Sequence, residues 1–235
     1  MNGRESILKE FSKAPSGTLV MTGKLYREKF FAEMSEEAFA QAVSRLCRNG
    51  EIERVSKGIY CIPKKMRFGT ILPSEREILE QFTSGGKGVV VGYGLYNELG
   101  VTTQVPKRRT VYSSITEERL KQIGNIVIKK YDLEYTSAVK NVIRMMELLH
   151  DFKKIQDVNV ASVLCNLKKF SGEFNEEAFE TVQREIGYPK WTIAFLREVL
   201  NYHRIPNKLG KYLSALSNYA IPKMEQLYES AREYN

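Results

Sequence analysis

The chain has 235 residues, a formal net charge of +8 and three cysteines. That length accommodates two or three packed units, and the basic balance favours anionic partners such as nucleic acid. No apolar run approaches the roughly 20 residues that span a bilayer, and MNGRESILKEF at the start carries no signal-peptide segment, so a cytoplasmic protein without a membrane partner is expected.

The first expected helices cover 6–11 and 22–30. The stretch 35–63, SEEAFAQAVSRLCRNGEIERVSKGIYCIP, is the most informative in the chain. Ser35 is a natural N-cap, and Glu36 and Glu37 suit the positive end of a helix dipole. Phe39, Ala42, Val43 and Leu46 fall at i, i+3, i+4 and i+7 and make an apolar stripe. Glu37, Gln41, Ser44, Arg45 and Arg48 occupy the opposite side. Gly50 follows Asn49 where the chain leaves a helix through a left-handed residue. Ile52 and Val55, then Ile59 and Ile62 around Tyr60, give two β-forming runs pivoting on Ser56-Lys57-Gly58. Three helices and a hairpin in this order are the parts of a winged helix-turn-helix. The plainer alternative is a solvated helix and hairpin in another small domain. In the winged-helix reading Gln41, Ser44, Arg45 and Arg48 meet base edges, and Arg54, Lys57, Lys64 and Lys65 hold phosphates. The basic excess of the first seventy residues concentrates at Arg54, Lys57, Lys64, Lys65 and Arg67.

Residues 64–73 read as a connector and 74–82 as a helix. Val89 to Val91 form a short buried-type strand, Gly92-Tyr93-Gly94 a turn, and 95–99 a short helix before Gly100. Strands are expected at 110–113 and 125–131, with a brief helix capped by Thr116-Glu117-Glu118 between them. From Tyr135 onward the pattern is helical: Ala138, Val142, Met145, Met146 and Leu149 form one stripe, and further helices are expected at 160–170, 176–186, 191–202, 209–217 and 223–234, with Pro189, Pro206 and Pro222 near helix starts. The expected class is α+β: a winged helix over 1–70, a small α+β domain over 71–135 and an all-helical region over 136–235.

Enzymatic signals are weak. Gly92-Tyr93-Gly94 lacks the third glycine of a dinucleotide fingerprint, Asn97 standing in its place, and Lys87 lacks the spacing of a P-loop. Glu36-Glu37, Glu117-Glu118 and Glu176-Glu177 follow Ser35, Thr116 and Asn175, and helix capping explains them. Asp132 and Glu134, after Lys129 and Lys130, are the one candidate pair for a divalent metal in nucleic-acid chemistry; solvated charges at a strand end are the plainer reading. The groups Tyr93 with Tyr96, and Trp191 with Phe195 and Tyr202, offer stacking platforms only if exposed along a basic groove; at helical spacing such rings belong to a core. Cys47, Cys61 and Cys165 are isolated, which argues against a disulfide frame or zinc site, and His150 and His203 are too few for a histidine metal centre. Neither catalysis nor a cofactor is expected.

The segments RVSKGIYCIPK, GYGLYNELGVTTQVPKR, GYPKWTIAFLREVLNY and LGKYLSALSNYAI together resemble the AbiEi-type antitoxins of bacterial type IV toxin-antitoxin systems, in the branch with the DUF6088-like layout. The run Leu-Gly-Val-Thr-Thr-Gln-Val-Pro is the most specific element, and Lys190-Trp191 departs from the family's usual Pro-Arg after Tyr-Pro. The resemblance implies a non-enzymatic protein whose winged helix binds double-stranded DNA at its own promoter as an autorepressor. It further implies that the C-terminal region counters a nucleotidyltransferase-like toxin, with or without a stable complex. Thr102, Thr103 and Gln104 belong to the family's characteristic loop, with no role derivable from sequence. Two alternatives stand beside this: a winged-helix regulator whose middle domain senses a ligand or partner without any toxin, and a metal-dependent nucleic-acid enzyme using Asp132 and Glu134.

Overall fold

Helix α1 (Gly3–Phe11) opens the first of two units in the computed structural model, which describes residues 3–214 and 216–233. This unit runs through Phe82 and includes Lys121–Ile126; the other comprises Thr83–Leu120 and the chain from Val127 onward. The sequence segments 1–70 and 136–235 fall one in each unit, while 71–135 is shared between them. Helices and small sheets make the protein mixed α+β.

In the first unit α1 buries Ile7 and Phe11. A two-residue strand β1 (Val20–Met21) and one helical turn α2 (Thr22–Leu25) follow, and the backbone widens into a π-helical turn at Tyr26–Phe30. Helix α3 (Glu36–Arg48) starts where Ser35 Oγ accepts the Ala38 N–H at 3.2 Å. Phe39, Val43 and Leu46 are buried against Ile7, Phe11, Phe30 and Ile52, with Ala42 packed at the margin. Each large side chain so removed from water stabilises the unit by about 1.5–3 kcal/mol. Gly50, at φ +68°, lets the chain leave α3. Strands β2 (Glu53–Ser56) and β3 (Ile59–Cys61) then pair antiparallel across Lys57-Gly58, with a bulge between Arg54 and Ser56; β3 is central in the order β1-β3-β2. Ser56 Oγ donates to the Gln122 carbonyl at 3.1 Å and Lys121 Nζ to the Lys57 carbonyl at 2.8 Å, so 121–126 braces this hairpin.

Residues 64–73, expected as a connector, instead contain a second hairpin, β4 (Lys64–Met66) with β5 (Gly69–Ile71). Lys-Lys-Met and Gly-Thr-Ile lack the alternation of a half-buried strand, because the ribbon packs neither face into the core and is held by backbone pairing. Lys64 Nζ pairs with Glu77 of helix α4 (Glu75–Thr83). Ser74 N and Oγ both donate to Glu77 Oε2 at 2.8 Å, and Glu77 N donates back to Ser74 Oγ at 3.3 Å, which is a capping box. Gln81 accepts the Leu19 N–H at 2.7 Å and donates to the Gly17 carbonyl at 3.1 Å.

In the second unit β6 (Gly88–Val91) turns at Gly92 (φ 66°, ψ −149°, a region open to glycine alone) into α5 (Tyr93–Glu98). Strand β7 (Arg109–Ser113) pairs with β6 in the register Val89↔Tyr112, and β9 (Ile126–Lys130) flanks β7, whereas β8 (Leu120–Ile123) lies, but for Leu120, in the segment that belongs to the first unit. The brief helix expected at Thr116 is a turn, with Thr116 Oγ1 bonded to the Glu118 carbonyl at 3.4 Å. Thr-Glu-Glu chemistry satisfies a turn as readily as a helix start, so capping does not explain Glu117-Glu118 as it does the other two pairs. Helix α6 (Ser137–Asp151) is capped by Thr136 and buries Val139, Ile143 and Leu148 besides Val142, Met145, Met146 and Leu149. It is therefore apolar well beyond the single stripe expected, as a central helix is. Against it pack α7 (Val160–Gly172), α8 (Glu176–Ile186) and α9 (Lys190–Tyr202), α10 (Met224–Glu233) packs on α7 and α9, and Asn159 and Asn175 cap α7 and α8. The helix expected over 209–217 shrinks to a 3-10 turn, Leu209–Tyr212, after which Leu213 is extended. There Ser214 Oγ accepts the Leu216 N–H, local competition that serine offers a helix. Ala215 of that expected helix and Tyr234 of the last one lie outside the described residues. Among the described residues no helix is long and apolar enough to cross a membrane.

Candidate nucleic-acid interface

Opposite the buried face of α3, Gln41, Ser44, Arg45 and Arg48 are all exposed. Their spacing, i, i+3, i+4 and i+7, aligns them along about 10 Å of helix at 1.5 Å per residue. Arg54 on β2, Lys57 at the β2–β3 turn and Lys65 on β4 are exposed as well. None of these seven side chains makes a hydrogen bond or ion pair within the protein among the described residues, so their donors and charges remain available. Lys64 differs: it is half-buried and its ammonium is matched by Glu77, which assigns it to holding the second hairpin and not to an external phosphate. Hydrogen bonding from Lys64, helped by the Ser74 N–H and hydroxyl, draws the Glu77 carboxyl down to about 2. Close to α3, Glu51 is taken up by Arg4 and by Asn49 Nδ2, and these bonds hold its carboxyl below the usual range.

The loop carrying Thr102, Thr103 and Gln104 has a structural role. Thr102 is buried; its hydroxyl donates to the Gln156 carbonyl at 2.7 Å and accepts the Gln104 N–H at 3.2 Å. Gln104 Nε2 reaches the Asp157 carboxylate, Asp157 itself standing at φ 50°, and Asn159 N donates to the Val101 carbonyl at 2.7 Å. The loop after α5 is thus latched to the turn before α7, and of Thr102, Thr103 and Gln104 it is Thr103 that is exposed.

Asp132 and Glu134 have different surroundings, and among the described residues no group of three or more metal-ligating side chains occurs. Asp132 Oδ1 lies 3.5 Å from Lys130 Nζ, and the Asp132 N–H is taken by Glu185. Asp132 lines a cleft of about 600 Å³ with Arg119, Lys129, Lys130, Tyr131 and Glu185, whereas Glu134 does not. The aromatic groups are packing elements: Tyr96 and Phe195 are buried, Trp191 stacks on His150 at 5.2 Å and Tyr202 on Tyr228 at 5.0 Å. Cys47 packs against the first unit's core, Cys61 is buried and Cys165 exposed.

One cluster had a signal that periodicity alone does not read. Glu147, in the middle of the apolar run Met-Met-Glu-Leu-Leu, is 6% exposed. Its carboxylate accepts the Tyr112 hydroxyl at 2.9 Å and the Tyr188 hydroxyl at 2.6 Å. Tyr96 OH lies 3.0 Å from both the Glu147 carbonyl and Asp151 Oδ2. Burial pushes the Glu147 carboxyl up, against the two phenol donors that favour its charged form, and burial likewise raises the phenols of Tyr96, Tyr112 and Tyr188.

The fold and surface define a mixed α+β protein that presents an exposed polar and basic helix face. The chain belongs to a family of unknown function, DUF6088, whose pattern matches residues 6–166. Among solved structures it is similar to the RV2827C protein from Mycobacterium tuberculosis, at 11% identity and a TM-score of 0.43, over 86% of this chain and 77% of that one. No curated protein sequence matches it.

Proposed function

We propose that the protein is a winged helix-turn-helix repressor of its own promoter and the antitoxin of a type IV toxin-antitoxin pair, acting in the cytoplasm against a nucleotidyltransferase-like toxin. The observation that carries the DNA-binding part is the α3 face: Gln41, Ser44, Arg45 and Arg48 in one exposed line, unpartnered among the described residues. In this reading α3 enters a major groove and the β2–β3 hairpin is the wing, with Arg54 and Lys57 on flanking phosphates and Lys65 following. Arginine forks suit guanine and Gln41 suits adenine. The antitoxin part is supported by the sequence resemblance in the wing, the Thr102 loop and the two C-terminal segments.

Fluorescence anisotropy against the gene's own upstream duplex and a scrambled duplex, over several salt concentrations, tests the repressor. A preference of about a thousandfold or more is the expected result; equal, salt-sensitive binding to both would reject sequence reading. Co-expression with the product of the adjoining gene tests the antitoxin: relief of growth arrest supports it, and unchanged arrest rejects it. A second reading, a ligand-responsive regulator without a toxin, is favoured by one observation. A cleft of about 660 Å³ in the second unit is lined by polar and charged side chains including Arg197, Glu198, Asn201, Ser214 and Lys223. A metabolite that alters duplex affinity, with no toxin gene adjoining, would favour it.

A further inference from the structure

The hairpin β4–β5 lifts a phenylalanine into water. Phe68, at its tip, is 94% exposed, and Met66, Ile71 and Leu72 beside it are 61%, 50% and 45% exposed. An isolated exposed apolar side chain is ordinary, but three on one ribbon with a fourth, Leu72, directly after it are a patch that folding leaves uncovered. Their setting is wholly cationic. Residues 64–71, KKMRFGTI, contain no carboxylate; Lys64 is neutralised by Glu77, while Lys65 and Arg67 are exposed, and the Arg67 guanidinium carbon lies 5.5 Å from the centre of the Phe68 ring. The base of the ribbon is fixed. Strand pairs run Lys64↔Ile71, Lys65↔Thr70 and Met66↔Gly69, the capping box of α4 holds Glu77 against Lys64, and the Gly17 N–H bonds the Ile62 carbonyl at 2.8 Å just before the ribbon starts. A cationic ribbon with a rigid foot and an apolar tip belongs to the same unit as the α3 face and follows β3 after two residues.

We propose that this second hairpin is a DNA-contacting element in its own right, which sets the Phe68 ring against a base step in the minor groove while Lys65 and Arg67 hold the flanking phosphates. Apolar wedges delivered by cationic elements unstack a step and bend the duplex. Charge decides among partners: the absence of any acidic group on the ribbon matches a polyanion, whereas a protein-docking patch of this kind has no need of unpaired cations. The inference rests on the reading of the first unit as a DNA-binding module.

The test uses the full chain and its own upstream duplex, with anisotropy for affinity and end-to-end energy transfer between terminal dyes for bending. Phe68→Ala is expected to weaken binding about tenfold and to straighten the duplex, with an unchanged melting temperature because the ring is outside the core. Phe68→Trp is expected to keep both affinity and bend. Replacing Lys65 and Arg67 together by alanine should make the dependence of log affinity on log salt shallower by about two. If the wild-type chain binds its upstream duplex selectively while Phe68→Ala matches it in affinity and bend, this inference is overturned and the α3 reading stands. If the wild-type chain binds no duplex, both are overturned. Loss of binding to phosphatidylserine vesicles in Phe68→Ala, with duplex binding untouched, would also overturn it and make the ribbon a lipid-facing element.

Discussion

Replacing Tyr188 by phenylalanine removes one oxygen from the cage around Glu147 and changes little else. The Tyr188 hydroxyl is 2.6 Å from the carboxylate, both groups are buried, and only Tyr112, at 2.9 Å, remains as a second side-chain donor. A hydrogen bond to a charged group contributes about 1.5–3 kcal/mol, and the ring keeps its packing, so Tyr188→Phe should destabilise the protein by about that amount. Urea unfolding followed by circular dichroism would measure it. The penalty should depend on pH with a definite sign. Burial raises the folded-state pKa of Glu147 above its ordinary 4.5, so the native state binds the extra proton between those two values. The stability contributed by this group is therefore greatest below 4.5 and declines as pH rises through the raised folded value. A neutral acid needs its phenol donors less than an anion does, so the cost of Tyr188→Phe should shrink as pH falls through the raised folded value. A penalty below about 0.5 kcal/mol at pH 8, or one that grows on acidification, would refute the picture of a carboxylate held charged by two phenols.

Arg45→Ala should cost about 1–3 kcal/mol on the preferred duplex and relax preference at one base pair, whereas Lys57→Ala should weaken all duplexes alike and make the salt slope shallower by about one; equal losses for Arg45→Ala on specific and scrambled DNA would remove it from base reading. Glu77, drawn from 4.5 to about 2, contributes stability that is complete above 4.5 and lost as pH falls towards 2. Lys64→Met should flatten that acid limb in a stability profile, and an unchanged limb would contradict the pairing. Thr102→Val leaves the Gln156 carbonyl and the Gln104 N–H without their hydroxyl partner, which should cost about 1–3 kcal/mol in chemical denaturation with DNA affinity unaltered; a loss of affinity at unchanged stability would give the loop a functional role instead.

Where local chemistry and tertiary burial agree, the sequence was legible. Ser35, the stripe at Phe39, Val43 and Leu46, and Gly50 mark α3 because cap, face and exit each leave a local trace. For the same reason Asn175 marks the start of α8. The β4–β5 ribbon left no such trace, since a strand pair with neither face in the core needs no alternation. Thr116-Glu117-Glu118 misled because one set of side-chain hydrogen bonds serves turns and helix starts alike. The partner of Lys64 was hidden by thirteen residues of separation, and the Tyr112, Tyr188 and Glu147 cage by thirty-five and forty-one. Periodicity reports which way a residue faces and not what it meets there. The exposed line on α3 was readable for the complementary reason: its polar groups meet no partner among the described residues.

The hairpin support at Lys121–Ile126 has a practical consequence for dissecting the molecule. The Gln122 carbonyl and the Lys121 ammonium that brace Ser56 and Lys57 arrive from a part of the chain some sixty residues downstream, after the polypeptide has left the first unit and before it leaves again. A single cut after Phe82 would therefore release a fragment lacking two of its own hydrogen-bond partners. Proteolytic nicking, genetic truncation or synthesis of the first eighty residues would each yield a β2–β3 hairpin without its brace. The first unit is discontinuous, and an amino-terminal fragment made to study it needs residues 121–126 supplied with it.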